Sequence, residues 1–186
     1  MHPTDPAVNL ALFRALAVSL SLDPSSPEAS SRILRAYAAP PPPESSRERD
    51  LCFYSLVPDP SAPLLTERKP VPGRLAVFTF TPCRLTLMFY GPSAASRAHT
   101  VLGNLFADGQ SNPLSLLRRS GIYPVPPAHP PSVFWEEQDS FYRLRADAVL
   151  TVYLLDNSDD QSAHPVPSDL PVPPVLVPPS VVIHSR

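Results

Sequence analysis

The sequence predicts an α+β domain, in which helices pack on one face of a mostly antiparallel sheet and extended proline-rich arms leave the domain. Two runs of alternating apolar residues, over 84–90 and 145–155, predict the main strands. Between them, residues 93–106 carry apolar side chains at helical spacing. Proline makes up 28 of the 186 residues, about three times its ordinary share, and its clustering between periodic segments predicts stiff arms on a folded domain.

The first helix is predicted to begin with Asp5 as N-cap and Pro6 at the first helical position. Its apolar residues occupy nearly all sides, so we expect it to be deeply buried or covered by a partner chain. The dipeptides Asp23-Pro24 and Ser26-Pro27 are predicted to end it. Residues 32–39 form either a short strand or a helical turn, and residues 40–43, four prolines, are extended.

The next elements are a strand over 51–57 and a long proline-containing loop over 58–73. Residues 74–81 and 84–90 are predicted as separate strands, because Pro82 between them suits a turn or an edge bulge. A helix then begins at Gly91-Pro92-Ser93 and ends at Asp108-Gly109.

A second short helix begins at Asn112-Pro113 and ends at Gly121, followed by an extended loop over 123–131. After the strand over 145–155 the sequence predicts a polar turn, and the short run 180–183 could add a strand. We therefore predict a domain over residues 1–156 and a proline-rich C-terminal extension over residues 157–186.

Composition argues against several classes of protein. A net charge of −2 and a charged fraction of 17% give no basic face for binding nucleic acid. No apolar run is long enough for a membrane span. The run 10–22 contains Arg14 and lacks a basic lead-in, so we expect cytoplasmic synthesis without a targeting signal.

Cys52 and Cys83 stand alone in the sequence and are expected to be buried thiols in a reducing compartment.

Residues able to carry catalysis or bind metal are scattered. The five histidines share no metal-ligand spacing, and Gly91-Pro92-Ser93-Ala94-Ala95 lacks the second glycine of a nucleophile elbow. Glu136 and Glu137 are adjacent, so on a strand they face opposite ways and cannot share a proton. The acidic run at 156–160 lacks calcium-loop spacing. We expect no enzymatic activity, no cofactor and no metal.

Three segments in order resemble the tail terminator (neck terminator) proteins of tailed phages. They are Arg35-Ala36-Tyr37 running into the prolines at 40–43, the strand over 85–91 with the helix that follows Pro92-Ser93-Ala94-Ala95, and Arg143-Leu144-Arg145 before the last long strand. The strand, Tyr-Gly and helix element is the most specific. The resemblance covers residues 8–156; the proline content and the extension after Asp156 depart from it.

The resemblance implies a structural virion protein that forms a homo-hexameric ring. Such a ring caps the tail tube protein, contacts a head-completion or connector protein, and passes DNA through its lumen without specific binding. It implies assembly in the host cytoplasm and no membrane. Expected interface residues are Leu12, Phe13, Leu16, Tyr90 and Arg97. Expected lumen residues are Glu136, Glu137, Asp159 and Asp160, because acidic side chains let DNA slide.

Two alternatives stay open at this point. One is another head–tail joining protein, an adaptor or head-completion protein, with the same structural character. The other is a proline-rich partner for peptide-recognition domains, since the prolines at 40–43 and 165–179 could dock on aromatic grooves. Aromatic residues on the predicted strands are expected in the core, because the basic groove needed for stacking on bases is missing.

Overall fold

The computed structural model describes residues 2–36, 49–71, 74–107, 112–138 and 141–156. The helices are α1 (Pro6–Ser19), α2 (Pro27–Arg32), α3 (Ala94–Phe106) and α4 (Pro113–Arg119). The strands are β1 (Ile33–Arg35), β2 (Leu51–Pro58), β3 (Leu65–Val71), β4 (Arg74–Tyr90), β5 (Ile122–Pro124), β6 (Ser132–Gln138) and β7 (Phe141–Asp156). The predicted polyproline segment at 40–43, the turn at 157–161 and the whole extension lie outside these residues.

The seven strands of the described residues belong to one sheet, which confirms the predicted α+β fold. The order along the sheet is β1-β2-β4-β7-β5, with β3 paired to β4 and β6 paired to β7. Only the β1–β2 pair is parallel among the strand pairs of the described residues. The sheet is therefore mostly antiparallel, as the alternating strands predicted.

Two long strands, β4 and β7, form the centre of the sheet. They pair from Thr79 with Asp156 to Tyr90 with Arg145. β4 begins before this shared region, where it pairs with β3, and β7 begins before it at the other end, where it pairs with β6. The β3–β4 and β6–β7 hairpins therefore extend past the central sheet at opposite ends.

One face of the sheet is covered by α1, α3 and α4, and we call it the covered face. Its strand residues alternate with outward ones, so every second side chain is apolar and buried. Leu87, Phe89 and Val152 are each 0% exposed in this core. Helix α1 contributes Val8, Leu12, Ala15 and Leu16, each 1% exposed. Of the two states expected for α1, the described residues show the deeply buried one.

The opposite face, which we call the open face, carries two small aromatic clusters at its ends. One contains Phe80, Tyr123, Tyr153 and Leu155, and the other contains Leu51, Phe53 and Tyr90. Between the clusters the face is accessible: Val149 is 51% exposed and Val57 is 43% exposed. The two faces of the same strands thus have different characters.

The junction between β4 and α3 depends on Gly91. Its φ of +110° lies in the left-handed region, and a Cβ there would lie 2.8 Å from the Arg49 carbonyl oxygen and the Asp50 Cα. Asp50 in turn caps α3 from outside the helix, since its Oδ1 accepts a hydrogen bond from the Ser93 amide at 2.9 Å. Ser93 makes no side-chain cap itself, so the glycine permits the close approach that caps the helix.

The predicted interruption of the central strand at Pro82 is wrong, because β4 runs unbroken from Arg74 to Tyr90. The Pro82 carbonyl accepts a hydrogen bond from the Asp59 amide at 3.0 Å, on the β2 side. In a strand the N–H and C=O of one residue point the same way. The missing N–H of Pro82 therefore faces the gap between the end of β2 and the start of β3, and the pairing with β7 is intact.

Three other boundaries also differ from the prediction. The loop expected over 58–73 contains β3. Residues 132–138, for which the sequence predicts no element, form β6, a strand whose alternation is hidden because both of its faces carry aromatic or apolar residues. Ser26-Pro27 does not end a helix; Ser26 caps α2 by accepting the Ala29 amide at 3.1 Å. The predicted caps at Asp5 and Asn112 are confirmed.

Candidate functional site

Charged side chains collect on the open face where the β6–β7 hairpin leaves the central sheet. Arg143, Arg145 and Asp147 lie on β7 at every second position, so all three side chains share one face. Glu136 on β6 is the cross-strand partner of Arg143. We call these four residues and Tyr90, which pairs with Arg145, the arginine–tyrosine cluster.

The Glu136 carboxylate binds both arginines of the cluster. Arg143 Nε donates to Glu136 Oε2 at 2.8 Å, and Arg145 Nη1 donates to Glu136 Oε1 at 2.6 Å. Arg145 also donates from Nη2 to Asp147 Oδ2 at 2.7 Å. Planar guanidinium groups suit such shared carboxylates, and charge-assisted bonds of this kind fix orientation as well as adding energy.

The Tyr90 ring packs against both guanidinium groups. The Arg143 Cζ lies 4.2 Å from the ring centroid and the Arg145 Cζ lies 5.4 Å from it, which are cation–π distances. The Phe53 ring meets the ring of Tyr90 edge to face at a centroid distance of 5.7 Å. The side chain of Arg143 is 5% exposed, and its Nη1 has no hydrogen-bond partner among the described residues.

Protonation in the cluster follows from these contacts. Burial tends to raise the pKa of Glu136, but the hydrogen bonds and charges of Arg143 and Arg145 outweigh it and hold that pKa below its usual value. Burial raises the pKa of Tyr90, so the phenol stays neutral. Glu136 therefore remains charged near neutral pH, where its carboxylate binds both guanidinium groups.

The other face of the β6–β7 hairpin carries an exposed apolar surface. Val133, Trp135 and Tyr142 share this face, and we call them the aromatic strip. They are 46%, 67% and 63% exposed, respectively. Large apolar side chains grouped in this way at the surface mark interaction sites more often than isolated ones do. Trp and Tyr are also the residues that interfaces favour.

The structure brings three of the predicted site residues to this end of the molecule. Tyr90 and Glu136 meet in the arginine–tyrosine cluster, while Glu137 points to the opposite face of β6, where its Oε2 accepts a hydrogen bond from the Tyr142 hydroxyl at 3.3 Å. Adjacent carboxylates on opposite faces confirm the sequence argument against an acid–base pair. The charge of Glu136 is balanced within the chain, whereas Glu137 has no basic partner among the described residues.

The remaining predicted site residues lie elsewhere. Leu12 and Leu16 are each 1% exposed in the core of this chain, so the expectation that they line a subunit interface is corrected: packing within the chain uses their surface. Phe13 is half-buried against the same core. Arg97 forms an ion pair with Asp50, with 3.1 Å between Nε and Oδ2. Asp159 and Asp160 lie outside the described residues.

Three residues at this end of the molecule, Arg143, Arg145 and Trp135, were not predicted as site residues. The alternation of Arg143, Arg145 and Asp147 is visible in the sequence and could have indicated a charged face. Trp135 gave no such signal, because its exposure depends on how far the hairpin extends past the helices. Which helices lie over the hairpin is tertiary information, which the sequence around Trp135 does not contain.

The two cysteines are buried free thiols, as expected. Burial raises the pKa of Cys52 to about 12 and that of Cys83 to about 11, so neither is a reactive thiolate.

Within the described ranges no group of three or more His, Cys, Asp or Glu side chains could hold a metal ion. None of the described helices is long and apolar enough to cross a membrane.

A scan against protein-family models and a search of curated proteins both found no match.

Proposed function

We propose that this chain is a structural subunit of a tailed-phage particle, a tail terminator that forms a ring, caps the tail tube and joins it to the neck. The observation that carries the proposal is the convergence of three distant segments. Ala36, from the first segment that resembles terminators, packs on the cluster that contains Tyr90, from the second. Arg143 and Arg145, from the third, pack on the Tyr90 ring.

Convergence matters because the three segments were identified by their order in the sequence alone. The first and third segments lie more than a hundred residues apart in the sequence, yet both pack on the second: Ala36 packs on the cluster of Leu51, Phe53 and Tyr90, and the arginine–tyrosine cluster joins the third segment to Tyr90. The ion pairs of the arginine–tyrosine cluster join β6 to β7, and its ring contacts join β7 to the end of β4. A hairpin tied to the central sheet in this way suits a subunit that must repeat the same contact around a ring.

The positions of the two hairpins also suit a ring. A closed ring is built from heterologous contacts, in which one surface of a subunit binds a different surface of the next. The β3–β4 and β6–β7 hairpins lie at opposite ends of the sheet and differ in character: β3 carries Glu67, Arg68 and Lys69, whereas β6 carries Phe134 and Trp135. The chain therefore offers two different surfaces on opposite sides.

Native mass spectrometry and negative-stain microscopy of the full chain, alone and mixed with tail tubes, test the proposal. We expect a hexameric mass and rings at tube ends. A chain that stays monomeric in both settings would overturn the proposal.

Depletion of the protein during phage assembly separates a terminator from an adaptor. Loss of a terminator gives tubes of uncontrolled length, because nothing stops growth. Normal-length tails without heads would instead assign the chain to the head–tail adaptor class.

A further inference from the structure

Two features of this chain have no part in the arginine–tyrosine cluster. One is the aromatic strip on the β6–β7 hairpin, and the other is the proline-rich run over residues 165–179. That run contains seven prolines and a single charged residue, Asp169; the prolines are Pro165, Pro167, Pro171, Pro173, Pro174, Pro178 and Pro179. Its chemistry is therefore almost entirely apolar.

The two aromatic side chains of the strip are placed side by side. Trp135 pairs across the hairpin with Leu144, and Tyr142 pairs with Glu137. Trp135 and Tyr142 are therefore diagonal neighbours on one face, at a separation of roughly 7–8 Å that aromatic side chains can bridge. The Tyr142 hydroxyl donates a hydrogen bond to Oε2 of Glu137, its cross-strand partner on β6, and 63% of Tyr142 stays exposed.

Paired aromatic side chains on a β surface bind proline-rich segments. Such segments hold the polyproline II conformation before binding, so ordering them costs little entropy, and their rings pack flat on Trp and Tyr. Pro171-Val172-Pro173-Pro174 has the P-x-x-P spacing that this mode of recognition uses. The aromatic strip and this segment are thus matched in chemistry.

The geometry decides which copy of the chain supplies the segment. Residues 142–156 run along β7, so Asp156, where the extension begins, is about 45 Å from Tyr142 at about 3.3 Å per residue. A fully extended chain from Asp156 to Pro171 spans at most about 50 Å. Docking within one chain would demand an almost completely stretched connector, whereas a second copy placed alongside has no such constraint.

We propose that the aromatic strip of one copy binds the proline-rich segment around Pro171–Pro174 of a second copy. This exchange of arms gives the exposed side chains of Trp135 and Tyr142 an occupant, and it links neighbouring copies through the face of the β6–β7 hairpin opposite the arginine–tyrosine cluster. The inference does not rest on the proposed function, since arms can be exchanged in any assembly of this chain.

The experiment uses Trp135, the only tryptophan of the chain, as its own reporter. Acrylamide quenching of its fluorescence is measured in the full chain and in a variant with Pro171, Pro173 and Pro174 replaced by serine. Covering an indole that is otherwise 67% exposed should lower its quenching constant roughly twofold in the wild type relative to this variant. A matched variant with Ser162, Ser168 and Ser180 replaced by alanine should behave like the wild type.

Mixing two variants tests whether the segment comes from a second copy. Trp135→Phe has no tryptophan but keeps its proline segment, so it is added in excess to the proline-to-serine variant, which keeps Trp135. We expect the added chains to restore protection of the indole. Equal quenching in the wild type and the proline-to-serine variant would overturn the proposal. A second result would also overturn it: Trp135 stays protected when the wild type is diluted, and mixing does not restore protection in the proline-to-serine variant. The segment would then dock within one chain.

The outcome is separable from that of the proposed function. If the proline-to-serine variant still caps tail tubes but loses protection of Trp135, the arm exchange is real and dispensable for capping. If the wild type shows protection but never forms rings on tubes, arm exchange stands and the terminator proposal fails.

Discussion

The covered and open faces of the sheet are built from the same strands, yet they differ in almost every property. On the covered face every second residue of β4 from Cys83 to Phe89, and of β7 from Ala146 to Leu154, is apolar, buried and part of the core beneath the helices. On the open face the alternate residues form two end clusters, a charged network and an accessible centre. The comparison indicates that one face supplies most of the stability, while the other is available for contacts with partners.

Truncating one side chain on each face tests this difference most directly. Leu150 is 2% exposed on the covered face, and its neighbour Val149 is 51% exposed on the open face. Leu150→Ala should lower the free energy of unfolding by about 3 kcal/mol, since it leaves a cavity in the core. Val149→Ala should change it by about 0.5 kcal/mol or less. Urea denaturation measures both; equal losses would contradict the division between faces.

The junction that brings α3 over the covered face gives the next largest effect. Gly91→Ala should cost about 2 kcal/mol in free energy of unfolding, because φ is +110° and the new Cβ meets backbone at 2.8 Å. Gly103, inside α3, is the matched control, since a Cβ there has nothing within 4 Å. Gly103→Ala should stabilise the chain by about 0.5–1 kcal/mol. Thermal unfolding followed by circular dichroism checks that the two signs are opposite.

On the open face, two adjacent carboxylates form a matched pair. Glu136→Gln removes the negative charge that faces the buried Arg143, so we expect a loss of about 2 kcal/mol in free energy of unfolding. Glu137→Gln alters an exposed hydrogen bond and should cost about 0.5 kcal/mol or less. Chemical denaturation of both variants measures the difference. Equal effects would show that the cluster adds nothing to stability.

The smallest expected effect is a dependence on pH. The pKa of Glu136 is lowered in the folded chain relative to its usual 4.5. The unfolded chain therefore binds a proton first, and the stability from Glu136 is present above pH 4.5 and lost as the pH falls through the folded pKa. The urea midpoint of the wild type should fall more steeply below pH 4.5 than that of Glu136→Gln. Parallel curves would assign acid sensitivity to other carboxylates, such as Asp59.

Much of the fold could be predicted because local patterns encode it. Alternation over 84–90 and 145–155 located the centre of the sheet, and Asp5 and Asn112 marked the true starts of helices. Pro82 misled the prediction because its effect depends on which neighbour its missing N–H faces. That direction is set by where β2 ends and β3 begins, which is tertiary information.

The candidate site was predictable only in part. Tyr90 and Glu136 were singled out from the sequence, but nothing local indicated that Arg143 and Arg145 bind them both. Leu12 and Leu16 were assigned to an interface because an all-apolar helix has two explanations, and burial by its own chain is the one observed. Distinguishing these explanations requires knowing which strands lie beneath the helix.

Chemical labelling of the two buried thiols reports whether a molecule has unfolded, locally or globally. Cys52 lies on β2 and Cys83 on β4, and in the folded chain both are protonated and shielded, so a thiol reagent modifies them only after local or global unfolding. Because Cys52 is near the Tyr90 end of β4 and Cys83 is opposite Pro58, the ratio of labelling at the two positions tells which end of the sheet separates first.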